Sequence, residues 1–106
     1  MTVKPMYYLL DVDTPVEVDL MTWASSFDKG NSLWVTKLTN GKDVVRISTV
    51  FLGLDHSFSP VGPPLLFETM IFDMPEAEDE LMWRYTDYYD AKRGHREAVQ
   101  LVVEAL

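Results

Sequence analysis

Asn40-Gly41 stands between two runs rich in β-branched and aromatic residues, 33–38 and 44–52. Asn-Gly is the strongest short hairpin signal, because a type I′ turn needs positive φ at both central positions, which asparagine tolerates and glycine adopts freely. The middle of the chain is therefore expected to fold as antiparallel strands. A two-residue loop pairs Thr39 with Lys42 and sets Trp34 opposite Ile47 and Val35 opposite Arg46. Alternation along the second strand puts Val45, Ile47, Thr49 and Phe51 on one face, and Val44, Arg46, Ser48, Val50 and Leu52 on the other. Both faces carry apolar weight.

The flanking segments supply the other elements. Residues 6–10 are aromatic and apolar and read as a short strand. Thr14-Pro15-Val16-Glu17 has an N-cap residue, a proline at the first helical position and a glutamate three residues after the cap, while Asp19 offers a second cap. From either start Leu20, Trp23, Ala24 and Phe27 share one helical face, with Gly30 as the stop. Residues 65–72 and 81–85 form two further apolar strands joined by segment 73–80, which carries five acidic residues and a proline. Thr86 or Asp87 caps a final helix with an apolar stripe of Ala91, Ala98, Val99, Val102 and Leu106. The expected fold is α+β: an antiparallel β-meander of four to five strands with two helices packed on one face, in one domain spanning 1–106.

Composition narrows function by exclusion. Without cysteine there is no disulfide framework, thiolate nucleophile, zinc finger or iron–sulfur cluster, so an apolar core must hold 106 residues together. Seventeen acidic against nine basic side chains give a net charge of −8, which repels phosphate backbones and anionic membranes. No direct nucleic-acid binding is expected. Residues 1–10 fit neither a signal peptide nor a membrane span, and the expected location is cytoplasmic. No glycine-rich phosphate loop or serine-hydrolase elbow is present in the sequence. Lys92, Arg93 and Arg96 are offset by Asp87, Asp90 and Glu97 and read as a solvated helix face.

Ser48-Thr49-Val50-Phe51-Leu52-Gly53-Leu54-Asp55-His56, Gly62-Pro63-Pro64-Leu65-Leu66-Phe67-Glu68-Thr69-Met70, Arg84-Tyr85-Thr86 and Gly94-His95 together resemble a family of small proteins of phages, prophages and bacterial genomes that carries no established activity. The resemblance covers roughly the second half of the chain. It implies a phage or mobile-element setting and transfers no site residue.

The chain has two histidines. His56 ends a long strand and enters a turn-rich loop, where scaffolds present functional groups. His95 lies on the apolar stripe of the last helix directly after Gly94, and a glycine inside a helix suggests that a backbone or bulky ring packs against it. If the loop folds over the helix, Asp55, His56, Glu68 and His95 converge. His56, His95 and Glu68 then offer acid–base chemistry, and Asp55, His56 and His95 a divalent-metal site. None of the spacings matches a known ligand motif, and no cofactor is expected. The plainer alternative makes His95 a hydrogen-bonded ring at the core edge and Asp55-His56 a brace for the turn. Glu68 shares its strand face with Leu66, Met70 and Phe72, so a cross-strand partner, Arg46 or Arg84, is expected for its carboxylate.

Two functional readings follow. In the first, the chain is a small acidic, non-enzymatic accessory protein that binds a host or phage protein, one with a basic surface, through Asp73, Glu76, Glu78, Asp79, Glu80, Trp83 and Tyr85. The surplus of large aromatic rings also suits a homodimer formed through an open sheet face. In the second, it is a small metal-dependent or acid–base enzyme built on His56, His95, Glu68 and Asp55.

Overall fold

The computed structural model describes residues 4–27 and 31–106. Six strands and two helices follow in the order β1 (Tyr8–Asp11), β2 (Thr14–Glu17), α1 (Leu20–Ser26), β3 (Ser32–Thr39), β4 (Val44–Phe51), β5 (Phe67–Phe72), β6 (Leu81–Tyr85) and α2 (Tyr88–Ala105). The architecture is α+β. Strands β3 to β6 form a four-stranded antiparallel meander in sequence order, and β1 and β2 form a separate two-stranded sheet.

The central hairpin forms with a different turn. Thr39 pairs with Val44, so residues 40–43 make a four-residue loop, and Trp34 faces Thr49 while Val35 faces Ser48. Asn40 acts here as an acceptor: its side-chain oxygen takes the amides of Lys42 at 3.0 Å and Asp43 at 2.8 Å. Gly41 has φ +92°, while Asn40 keeps a negative φ, so the type I′ requirement is unmet. The register slips by two residues, which preserves alternation and leaves each side chain on its expected face.

The first strand does not join the main sheet as a fifth member. It pairs with Thr14–Glu17, and residues Val12 and Asp13 make the two-residue loop, with Val12 at φ 58°. The capping pattern beginning at Thr14 is therefore not used. The helix starts from the alternative cap, Asp19, whose carboxylate accepts the Thr22 amide at 2.7 Å. Of its expected stripe, Trp23 and Phe27 pack, with Trp23 5.3 Å from the Tyr7 ring and Phe27 6.4 Å from Phe51, while Leu20 and Ala24 are exposed. The expected stop at Gly30 lies outside the described residues.

The layer on the main sheet is α2, which is capped by Asp87 and buries Ala91, Gly94, His95, Ala98 and Val102. Opposite it lie Val45, Ile47, Thr49 and Phe51 of β4 and Phe67, Thr69 and Ile71 of β5, all of them buried. Leu66, expected on the Glu68 face, precedes β5 and packs into this core with Tyr8, Phe51, Phe67 and Ala91. The other sheet face carries a cation–π contact and an ion pair. Arg46 lies 4.1 Å from the centre of the Phe72 ring, and Arg84 reaches Glu68 at 3.0 Å.

Gly94 has the role its position implies. The Tyr85 phenol ring of β6 lies against it, and a Cβ at residue 94 overlaps that ring. Gly94→Ala is expected to cost about 1–3 kcal/mol through overpacking, read by urea unfolding. In a Tyr85→Leu background the same change is expected to be neutral, or to stabilise by up to about 1 kcal/mol through helix propensity.

Candidate functional site

The four residues expected to converge are held in separate arrangements. His95 sits beneath α2. One ring nitrogen lies 2.8 Å from the Thr49 hydroxyl and the other 2.9 Å from that of Thr36, and Thr49 meets Thr69 at 2.6 Å. A neutral imidazole donates through one nitrogen and accepts through the other, and threonine hydroxyls can answer both. Burial pushes the His95 pKa below the ordinary histidine value.

Asp55 is also buried, but it serves the loop that follows β4. Its carboxylate meets the Lys4 ammonium at 2.7 Å and accepts the Ser57 and Leu65 amides at 2.8 and 3.0 Å. Burial alone raises a carboxyl pKa; here Lys4 and the two amides outweigh it and hold Asp55 well below the usual carboxylate range. His56 uses its Nδ1 on the Leu54 carbonyl at 2.7 Å, and its ring lies 5.6 Å from that of Phe58. Glu68 points away from α2, since the neighbouring Thr69 faces the helix, and it takes Arg84 of the two anticipated partners.

Among the described residues no group of three or more histidine, aspartate or glutamate side chains has the geometry to hold a metal ion. Sequence reasoning missed the groups that satisfy the buried polar atoms: Thr36, Thr49 and Thr69 around His95, and Lys4 at Asp55. Thr49 and Thr69 could have been found, because each interrupts the apolar alternation on the helix-facing side of its strand and so requires a polar partner there.

The residues assigned to binding lie together along one edge. Segment 73–80 joins β5 to β6 and is anchored by Met74, which packs against the core cluster of Val45, Ile47, Ile71, Ala98 and Val102. Asp73, Glu76, Glu78, Asp79 and Glu80 are exposed, and none has an ion-pair partner among the described residues. Asp11, Asp13, Glu17 and Asp19, a second run of carboxylates in the sequence, differ, because Asp13 accepts the Tyr89 hydroxyl and Asp19 caps α1. β6 is an edge strand, and its Leu81, Met82 and Trp83 are 37%, 43% and 37% exposed, so an apolar run continues directly from the acidic segment. Between β6 and α2 an open cavity of about 300 Å³ is lined by Trp83, Tyr85, Gly94, Glu97, Ala98 and Leu101. Glu97 and Leu101, absent from the sequence-based set, complete it from the helix side.

No protein-family model matches the chain, and comparison with curated proteins and with solved structures gives no match either. No helix among the described residues is long and apolar enough to cross a membrane.

Two measurements check the structural roles of the buried ionisable groups. The unfolded chain takes up a proton at histidine near pH 6.5, the ordinary value, whereas buried His95 resists it. Unfolding free energy is therefore expected to fall as pH drops below about 6.5. His95→Gln is expected to flatten that fall in chemical denaturation run between pH 7.5 and 5.5. Asp55→Ala leaves Lys4 and two amides without their acceptor, and is expected to cost about 3–5 kcal/mol in urea unfolding at pH 7.

Proposed function

We propose that this protein is a non-enzymatic interaction module that engages a basic surface of another protein through segment 73–80 and the adjoining β6 edge. The observation that carries the reading is the pairing of five carboxylates that have no ion-pair partner among the described residues with an exposed apolar strand on one continuous stretch of chain. Unpaired carboxylates held close together repel one another and gain from an external cation, and adjacent aromatic surface adds the desolvated contact that fixes a complex. The resemblance in the second half of the chain supports a phage or mobile-element setting, with a host or phage protein as the partner. His95, Asp55 and Glu68 are already satisfied by threonines, Lys4 and Arg84, which favours structural work for them over acid–base chemistry.

The test is capture of partners from host lysate at two salt concentrations by three baits: the native chain, a chain with the five segment carboxylates neutralised (Asp→Asn, Glu→Gln), and a control neutralised at Asp11, Asp13, Glu17 and Asp19. A partner retained by the native chain and the control, lost from the segment variant and weakened by salt is the expected result. Equal loss from both variants reduces the effect to net charge and ends the proposal, as does the lack of any salt-sensitive partner.

A further inference from the structure

We infer that β6 is a strand-addition site for an extended segment carrying lysine or arginine at alternate positions, one of whose side chains enters the cavity between β6 and α2; this rests on the interaction reading above. The two edges of the main sheet differ. β3 bears Lys37 in mid-strand and a bulge between Ser32 and Trp34, both of which discourage pairing with another chain. β6 pairs regularly with β5 from Leu81 to Tyr85, contains neither lysine nor proline, and has no strand on its outer side among the described residues. Its single cation, Arg84, is drawn onto Glu68 at 3.0 Å. Unshielded backbone donors and acceptors therefore remain available along an apolar strand, the arrangement that peptide-binding domains use for β-augmentation.

The cavity identifies the occupant. A strand added about 4.8 Å beyond β6 sends alternate side chains to the α2 side of the sheet. There Trp83, Tyr85 and Leu101 offer apolar and aromatic walls, Ala98 and Gly94, the latter under the Tyr85 ring, complete the lining, and Glu97, 4.0 Å from the Arg93 guanidinium, supplies a carboxylate. This suits a long side chain with an aliphatic stem and a cationic head, which packs on indole and meets an anion. The exposed carboxylates of segment 73–80 continue the same preference past the start of β6. A second copy of the chain fits poorly, because it brings another net charge of −8 to an acidic edge.

The test uses three capped seven-residue peptides: alternating Lys and Val, the same peptide with alternate backbone nitrogens methylated, and alternating Glu and Val. Each is titrated into the full chain by calorimetry and by amide NMR. The Lys–Val peptide is expected to bind saturably, shifting the β6 amides and the Trp83 indole. Methylation, which keeps the charge and removes the donors, is expected to weaken binding at least tenfold, and Glu97→Gln severalfold. If the methylated peptide binds as well as its parent and only segment 73–80 shifts, strand addition is wrong while the acidic-surface reading stands. If neither cationic peptide binds, strand addition fails and the acidic-surface reading rests on the lysate baits alone. Concentration-dependent dimerisation of the free chain with shifts in β6, seen by sedimentation, assigns the edge to a second copy and overturns the inference.

Discussion

The seam between α2 and the main sheet is apolar at both ends and polar in the middle, and the rest of the molecule is arranged around it. Phe51, Leu66, Phe67 and Ala91 form one end with Tyr8, while Val45, Ile47, Ile71, Ala98 and Val102 form the other. Between them His95 joins Thr36, Thr49 and Thr69 from three successive strands. Apolar packing alone tolerates small slides of a helix along a sheet, because Val, Ile and Ala contacts are non-directional. An imidazole that must satisfy both nitrogens on threonines of different strands tolerates none, since any slide leaves a buried polar atom without a partner. Gly94, one residue earlier, lets Tyr85 close the same seam from β6. Register and angle are thus set by a few polar atoms and one missing methyl group, while the surrounding hydrocarbon supplies the driving force.

This division of labour explains how much of the fold was legible. The strands of the meander, the final helix and its buried stripe follow from alternation and from the spacing of Ala91, Ala98 and Val102, seven and four residues apart on one helical face, which report apolar burial directly. The hairpin loop is not legible from Asn-Gly alone, because Asn40 can serve an Asx turn as well as a type I′ turn, and only the side-chain hydrogen bonds distinguish the two. Thr14-Pro15 was ambiguous for a related reason. Its capping pattern is local, whereas the pairing of Pro15 with Leu10 runs across a Val12-Asp13 loop whose positive-φ position holds a β-branched valine rather than the glycine or asparagine that would announce a hairpin.

Candidate site residues divided along the same line. That Glu68 needs a cation could be argued from alternation, and Arg84 answers it; that His95 lies on the buried stripe was visible as well. Which groups surround a histidine is a matter of long-range geometry. Thr36, Thr49 and Thr69 come from three strands, and Lys4 reaches Asp55 from near the start of the chain. The aromatic surplus likewise has a specific disposition: Trp34, Tyr88 and Phe67 form a chain of rings against α2, Tyr7, Trp23 and Phe27 another at α1, and Trp83 is left at the edge.

The sheet face turned away from α2 carries Lys37, Arg46 and Arg84 against Glu68, a local balance of three positive charges to one negative. Since the chain as a whole is −8, the remaining surface holds −10. The molecule is therefore an electric dipole as well as an anion. In the field of an approaching cation it experiences a torque that turns this sheet face aside before any contact forms, so that orientation precedes recognition.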